Sequence, residues 1–482
     1  MFSNLNNKIN PKFLLILILI LGFVLRSYKL AQNYIWRDEA FYWHTTQFGF
    51  NNIFDITKWD TQPPLYSYAI FIWTKVFGDS PFALRSLALV FGMLVIYMIY
   101  RFTLKQTNST WIALLSALLV AVNPELMIYS QESRSYTTLT FLTLLLAYLL
   151  SNKLTFKLSI LTSIVAIIGL FTNSLFIIIV PLLYLWHWYF YGKYNLKNVL
   201  ALFISTIILY IPYIPVLIQN TKDTGQSFWL KFEPLTAIQN NLAGLFTSYH
   251  YNLQYTWTGV LLSGILSTVV IGLILGIYQE YKNNRIRLLI MPLMFLTTMY
   301  FASFKTPMFY IRYIQYVIPF IVIIVAIGYY RIYVNNKLAS ALMIFILTFS
   351  SIALYITDIK NVPTNANYSQ TLRITKAQDV QNVFNPDPHI TFDVIAYYNK
   401  QNKLGLNNYI LQYPKQTQKQ FQTGLIKDNN KVNDIKTIKS MMVITEWDNQ
   451  DAKAFLNEKN FCLINTQKVD VINLDYYEVC QL

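Results

Sequence analysis

Three polar segments carry the residues that could do chemistry in this sequence. The first, Arg37-Asp38-Glu39, is followed directly by the aromatic run FYW. A carboxylate that aromatic neighbours partly shield from water can have a pKa suited to general-base catalysis on a hydroxyl group. The simpler interpretation is an amphipathic helix that Asp38 caps and Trp43 anchors at an interface, and composition alone favours it.

The second segment, QESRSY, contains Glu132, Arg134 and Tyr136 within a short stretch between two apolar runs. An arginine in such a confined position is more apt than a surface arginine to face the protein interior or an anionic ligand. A solvated helix boundary is the alternative interpretation.

The third segment contains Lys305 and Arg312-Tyr313 and precedes another apolar run. It is a further candidate anion site, and an interfacial anchor is the equally supported alternative. Taken together, one carboxylate base and several cations suit the attack of a hydroxyl group with departure of a phosphate.

The elements that must position these segments are apolar helices. The chain has 482 residues, of which 55% are hydrophobic and 13% are charged, whereas soluble domains have about 25% charged residues. Since about 20 apolar residues cross a bilayer, the sequence predicts a polytopic α-helical membrane protein with about eleven spans. The predicted spans are 11–30, 83–102, 109–123, 135–151, 156–172, 173–191, 197–219, 257–280, 287–303, 311–330 and 337–357.

The net charge of +15 belongs to these spans and their short loops. Residues 1–360 contain 25 Lys and Arg against 11 Asp and Glu, and the remaining residues contain 13 against 12. Basic residues fall on one side of the alternating spans and most acids on the other, which predicts a cytoplasmic N-terminus and an integral protein of the cell membrane. No basic patch is interleaved with base-stacking aromatics outside the spans, so nucleic acid is not a predicted partner.

The predicted organisation is a transmembrane domain over 1–360 and a soluble extracytoplasmic α/β domain over 361–482. Two long outer loops belong to the first domain: 31–82, with interfacial helices, and 220–256, which contains His250. In the second domain, HITFDVI, SMMVITEW, FCLINTQ and VINLDYYEV are predicted as strands, and VIAYYNKQ and DAKAFLNEK as helices. Cys462 and Cys480 lie at opposite ends of a predicted hairpin, and the sequence leaves open whether they are bonded.

Four stretches in this order resemble a known family: RDEAFYWH, DTQPPLYSYAIFIWTKVFGDSPFALRSLALVFG, NPELMIYSQESRSYTTLTFLTLLLAYLL and SFKTPMFYIRYIQYVIPF. They resemble polytopic lipid-phosphate-sugar-dependent glycosyltransferases of the C-type (GT-C) fold. The nearest likeness is to the protein O-mannosyltransferase, aminoarabinose transferase and rhizobial lipopolysaccharide transferase-like group. The resemblance is strongest over 36–151 and only architectural in the C-terminal region.

The resemblance implies an inverting sugar transfer from a polyprenyl or dolichyl phosphate donor to a hydroxyl group of a glycolipid, polysaccharide or protein on the extracytoplasmic face. Asp38 would be the base, with Glu39 as a less certain partner. The remaining implied site residues shape the cavity or contact the donor: Asp60, Glu132, Arg134, Tyr136, Lys305, Arg312 and Tyr313.

No cofactor is required by the sequence. The four histidines show no metal-ligand spacing, so a divalent metal is possible but no ligand set is predicted. Asn173 stands where relatives often have a histidine, which puts any histidine-dependent role there in doubt. A multi-pass transporter or lipid-linked sugar flippase is the alternative function, although such proteins place ionisable groups near the membrane midplane and often have internal repeats.

Overall fold

The computed structural model describes residues 10–58, 60–191, 196–225, 232–248, 256–361, 367–385, 388–410, 438–445, 450–469 and 472–480. The first eleven helices are α1 (Pro11–Ser27), α2 (Arg37–Gln47), α3 (Ile53–Thr57), α4 (Leu65–Phe77), α5 (Pro81–Thr107), α6 (Thr110–Ala121), α7 (Pro124–Tyr129), α8 (Tyr136–Leu150), α9 (Phe156–Thr172), α10 (Phe176–Phe190) and α11 (Leu196–Tyr210). They are followed by α12 (Ile214–Gly225), α13 (Pro234–Thr247), α14 (Thr256–Lys282), α15 (Ile286–Ala302), α16 (Ile311–Ile314), α17 (Ile318–Asn335), α18 (Lys337–Asn361), α19 (Tyr368–Ala377), α20 (Pro388–Gln401) and α21 (Gln450–Glu458). The strands are β1 (Asn382–Asn385), β2 (Asn407–Ile410), β3 (Ser440–Thr445), β4 (Phe461–Val469) and β5 (Ile472–Val479).

The chain divides into two compact units. The helical unit comprises Met1–Leu30, Thr61–Tyr66 and Arg85–Val362, and the mixed unit comprises Ala31–Asp60, Ser67–Leu84 and Pro363–Leu482. The residues of the first predicted outer loop therefore fold mainly with the C-terminal region, which the sequence did not indicate. The domain division at residue 360 stays a prediction.

Helices coincide with all eleven predicted spans. Five helical segments are long and apolar enough to cross a membrane by length and composition: Pro81–Thr107, Lys197–Asn220, Trp257–Lys282, Ile311–Asn335 and Lys337–Thr357. The other six predicted spans coincide with the shorter helices α1, α6, α8, α9, α10 and α15. Short polar side chains begin several of these helices: the side chains of Asn10, Ser109, Asn123 and Thr155 each accept a hydrogen bond from a backbone N–H in the first turn.

Glycines allow helices α14 and α17 of the helical unit to approach each other closely. Gly272 and Gly276 are one turn apart on α14 and face Gly328 of α17. A Cβ atom added at Gly276 would lie 1.9 Å from the carbonyl oxygen of Ile324, and one at Gly328 would lie 2.0 Å from that of Gly272. Small residues at this spacing let two helix backbones approach each other, as in membrane helix pairs.

In the C-terminal region the structure has a five-stranded sheet in the order β2-β1-β3-β5-β4. β1 pairs in parallel with β2 and β3, whereas β5 is antiparallel to β3 and β4. The strand predictions SMMVITEW, FCLINTQ and VINLDYYEV are confirmed over residues 440–445, 461–467 and 472–479, and both helix predictions are confirmed. Residues 446, 447 and 471 of these predictions lie outside the described residues. A disulfide joins Cys462 to Cys480, with their Cα atoms 5.0 Å apart.

One strand prediction is wrong. The segment HITFDVI lies in helix α20, and the strands that flank this helix are the short β1 and β2. The apolar alternation of HITFDVI suits a strand locally, but Phe392 and Ile395 are three residues apart and both buried, as in a helix face. Because α20 packs against α2, a partner about 350 residues earlier in the chain decides the structure here.

Candidate active site

Asp38 and Glu39 lie in the first turn of α2 in the mixed unit. The carboxylate of Glu39 is fully buried and accepts a hydrogen bond from the backbone N–H of Trp36 at 3.4 Å, as the acid of a helix cap does. Asp38 keeps 18% of its side chain exposed, and its carboxylate lies 3.4 Å from Nε of Arg37. Of the two acids, Asp38 is the more exposed, and Glu39 accepts the capping hydrogen bond at the start of α2.

The aromatic residues after Asp38 are anchored inside the mixed unit. Trp43 is almost fully buried, its ring meets that of Tyr397 edge-on at 5.1 Å, and its Nε1 donates to Asp79 at 3.0 Å. The interfacial role suggested for Trp43 is thus replaced by a packing role against α20. Asp60 is half-buried in the same unit, where its backbone N–H donates to the carbonyl of Thr57.

The other two candidate segments meet in the helical unit. We call the residues that come together there the tyrosine–arginine cluster: Tyr129, Glu132, Arg134, Tyr136, Arg312 and Tyr313. The ring of Tyr136 is 5.2 Å from that of Tyr129 and 6.3 Å from that of Tyr313. The guanidinium of Arg134 lies 5.5 Å from the centre of the Tyr136 ring and donates to its hydroxyl at 3.4 Å. Segments about 180 residues apart in the sequence therefore share one site.

Electrostatic coupling extends through this cluster. Arg312 interacts with Glu132 and with the hydroxyl groups of Tyr129, Tyr136 and Tyr313. Burial raises the pKa of Tyr129 well above its usual value, and the charges of Glu125 and Glu132 act in the same direction, against Arg312. Tyr129 is therefore a neutral group that interacts with Arg312.

Lys305, predicted with this group, lies exposed in the turn after α15. Its backbone N–H donates to Ala302, and its side chain has no hydrogen bond or ion pair within the described ranges. The structure does not bring it to the cluster, so its role stays a prediction.

Arg26 is a buried residue that the sequence analysis missed and that holds the second polar segment in place. Its side chain donates to the carbonyls of Ala121 and Val120 at 2.7 and 3.1 Å and to the hydroxyl of Ser130 at 3.1 Å. Gln131 in turn donates to the backbone carbonyl of Arg26. The signal available in the sequence was an arginine placed near the end of an apolar span, which rarely lacks a partner.

Asn173 also supports the cluster. It is fully buried, its amide donates to the hydroxyl of Ser135 at 2.9 Å, and its Oδ1 accepts from the N–H of Leu175 at 3.0 Å. Ser135 immediately precedes Tyr136, so Asn173 helps to set the start of α8. A hydrogen-bonding amide suffices for this role.

Among the described residues no group of three or more His, Cys, Asp or Glu side chains could hold a metal ion. His44 pairs with Asp393, and His187 bonds to the carbonyl of Leu150. His250 lies outside the described residues.

Residues 61–218 match the family model described as dolichyl-phosphate-mannose-protein mannosyltransferase. No curated protein matches the sequence.

Solved structures show a similar fold over nearly the whole chain. ArnT from Cupriavidus metallidurans bound to undecaprenyl phosphate has a TM-score of 0.62 at 12% identity, covering 96% of this chain and 97% of that one. The Archaeoglobus fulgidus oligosaccharyltransferase in its apo form has a TM-score of 0.57 at 12% identity, covering 94% of this chain and 69% of that one. These findings confirm the resemblance found in the sequence. The chain has the GT-C fold of the lipid-phosphate-sugar-dependent glycosyltransferases, and residues 61–218 carry the sequence pattern of the dolichyl-phosphate-mannose-protein mannosyltransferase family.

Proposed function

We propose that this membrane protein transfers a sugar from a polyprenyl or dolichyl phosphate to a hydroxyl group of a lipid, polysaccharide or protein, with inversion, on the extracytoplasmic face. The observation that carries the proposal is the tyrosine–arginine cluster, in which two arginines and several tyrosine hydroxyls surround one place in the helical unit. Guanidinium groups are suited to bind a phosphate through paired hydrogen bonds.

Arg134 and Arg312 bind the donor phosphate in this proposal. Buried polar atoms follow Arg312 directly: Gln315 Oε1 and the hydroxyl of Tyr316 have no hydrogen-bond partner within the described residues. Such atoms destabilise a folded protein unless a ligand or water meets them. The hydroxyl groups of a donor sugar, or water, would supply these hydrogen bonds.

Asp38 is the proposed base. It accepts the proton of the acceptor hydroxyl as that oxygen attacks the anomeric carbon of the donor sugar. The bond from that carbon to the phosphate oxygen breaks, and its electron pair remains on the phosphate. Arg134 and Arg312 stabilise the negative charge that develops there.

The relatives support this class of donor. ArnT was solved with undecaprenyl phosphate, and the archaeal oligosaccharyltransferase AglB with dolichol-phosphate and an inhibitory peptide. We therefore assign a lipid-phosphate-linked sugar to this chain as its donor. The acceptor class stays open among glycolipid, polysaccharide and protein.

A turnover assay on purified protein tests the function. The protein in lipid nanodiscs is incubated with a panel of polyprenyl-phosphate sugars and candidate acceptors, and release of free polyprenyl phosphate is measured. We expect at least one donor to be consumed only when an acceptor is present. In sealed proteoliposomes, movement of intact donor across the bilayer without sugar transfer would instead support the transporter or flippase alternative.

A further inference from the structure

A cavity of about 600 Å³ lies within the mixed unit between α2 and α20. Residues of both helices line it, together with the turn after α20. The residues that define its chemistry are His44 and Phe48 on the α2 side and Phe392, Lys400 and Lys403 on the other. None of them belongs to the site described above. We call this cavity the α2–α20 pocket.

Aromatic rings form one wall of the pocket. The ring of His44 lies 5.3 Å from that of Phe48 and 5.8 Å from that of Phe392. The carboxylate of Asp393, 2.6 Å from Nδ1 of His44, fixes the orientation of the imidazole. Aromatic faces beside a few polar groups are typical of pockets that bind small organic ligands, and they suit the apolar face of a sugar ring.

The two lysines of the pocket differ in their partners. Lys400 is neutralised, since its ammonium lies 3.0 Å from Asp79 and donates to Gln47 at 2.9 Å. The ammonium of Lys403 has no hydrogen bond or ion pair with any residue that the structure describes. The pocket thus presents one uncompensated cation, which matches a single carboxylate better than a phosphate dianion.

The backbone at Lys403 forms the cap that ends α20. Its φ is 52°, in the left-handed region, directly after the end of α20. The N–H of Leu404 donates to the carbonyl of Asn399, and that of Lys403 to the carbonyl of Lys400, which is the pattern of a Schellman cap. Glycine is the favoured residue at this position, so a lysine there costs conformational free energy that the fold does not need.

We propose that the α2–α20 pocket binds a carbohydrate that carries a carboxylate, with its ring against Phe48 and its carboxylate on Lys403. The proposal rests on the mixed unit alone and does not depend on the transfer reaction. Attraction between Lys403 and the C-terminal end of α20 is the competing explanation for this lysine.

Calorimetric binding to the full chain in nanodiscs tests the proposal. The probes are a glucuronate-containing tetrasaccharide, the same tetrasaccharide with its carboxylates reduced to alcohols, and inorganic phosphate. We expect saturable binding of the acidic probe and about tenfold weaker binding of the reduced one, as for the loss of about 1.4 kcal/mol. Equal binding of both tetrasaccharides, binding of phosphate alone, or no binding of the acidic probe would overturn the proposal.

Lys403→Gly separates binding from folding. The substitution removes the ammonium and relieves the left-handed backbone, so thermal stability stays the same or rises while binding of the acidic probe weakens about tenfold. We expect Phe48→Ala to weaken the binding of both tetrasaccharides. Lys29, also left-handed at φ 58° but in the helical unit, provides the matched control, and Lys29→Gly leaves binding unchanged. If Lys403→Gly binds the acidic tetrasaccharide with wild-type affinity, Lys403 only interacts with the C-terminal end of α20, and its proposed role in binding the carboxylate is wrong.

Discussion

At the scale of single residues, the geometry of Arg312 matters more than its charge. Its guanidinium lies 5.4 Å from the centre of the Tyr310 ring, and it interacts with the tyrosines of the cluster. Arg312→Lys keeps the charge but loses planar, paired hydrogen bonding. We expect roughly tenfold weaker donor binding, measured with a fluorescent polyprenyl phosphate. Unchanged donor affinity in both Arg312→Ala and Arg134→Ala would remove the phosphate site from this cluster.

Asp79 is one residue through which pH acts on the mixed unit. Burial alone would raise the pKa of Asp79, but hydrogen bonds from Trp43, Lys400 and Gln401 and the charge of Lys400 outweigh it, so the pKa is lowered. A carboxyl with a lowered folded-state pKa stabilises the fold fully above its unfolded value, about 3.9, and loses that contribution as pH falls through the folded value.

Comparison with Asp79→Asn isolates this contribution. The amide cannot ionise, so the variant is less stable than the wild type at pH 7, and the difference narrows below about pH 4 as Asp79 becomes protonated. Hydrogen–deuterium exchange of peptides from α2 and α20 at pH 7 and at pH 3, corrected for the pH dependence of the intrinsic exchange rate, measures this difference with Asp79 ionised and with Asp79 protonated. A difference that is independent of pH would contradict the ion-pair role.

At the scale of elements, the contact between α14 and α17 depends on glycine. Gly276→Ala places a methyl group against the backbone of Ile324, and overpacking of this kind costs about 1–3 kcal/mol. Gly259 lies in the same helix with nothing within 4 Å of its added Cβ. Gly259→Ala therefore stabilises α14 by up to about 1 kcal/mol.

Thermal unfolding of the two variants in detergent gives the comparison. We expect the midpoint to fall for Gly276→Ala and to stay or rise for Gly259→Ala. Equal unfolding midpoints would show that the added methyl group at Gly276 does not disturb the packing of α14 against α17.

The same scale shows what the sequence could predict and what it could not. The spans were predictable because apolar length is a local property. The approach of the segments of Arg134 and Arg312 at Tyr136 was predictable because both segments lie at span ends expected on the same side. The helix α20 was not, because its apolar residues acquire their helical face from contact with α2. Arg26 was missed because its partners, two backbone carbonyls and the hydroxyl of Ser130, lie about 100 residues away and form no motif with it.

At the scale of the whole molecule, membrane orientation is the next prediction. The distribution of Lys and Arg puts the N-terminus in the cytoplasm and the C-terminal sheet outside. Since the two native cysteines are bonded to each other, Asn457→Cys, at an exposed site on α21, provides a single reactive thiol. We expect a membrane-impermeant maleimide to label it on intact cells or spheroplasts. Labelling only after membrane lysis would show that the C-terminal sheet lies in the cytoplasm, and the proposed orientation and reaction compartment would then be wrong.

The two units supply different parts of the proposed reaction. The mixed unit carries Asp38, and the helical unit carries the tyrosine–arginine cluster. Donor binding and sugar transfer should therefore be separable by substitution in one unit or the other.

The most direct test measures donor binding and transfer rate in parallel for wild type, Asp38→Asn and Glu39→Gln. Asp38→Asn is nearly isosteric but cannot accept a proton, so we predict normal donor affinity and a transfer rate lowered by about 10²- to 10⁴-fold. Glu39→Gln keeps an acceptor oxygen for the Trp36 cap and retains most of the rate. If Asp38→Asn keeps more than about a tenth of the wild-type rate while Glu39→Gln abolishes it, the base is Glu39; if both variants remain active, the first-loop acids are structural and the proposed mechanism is wrong.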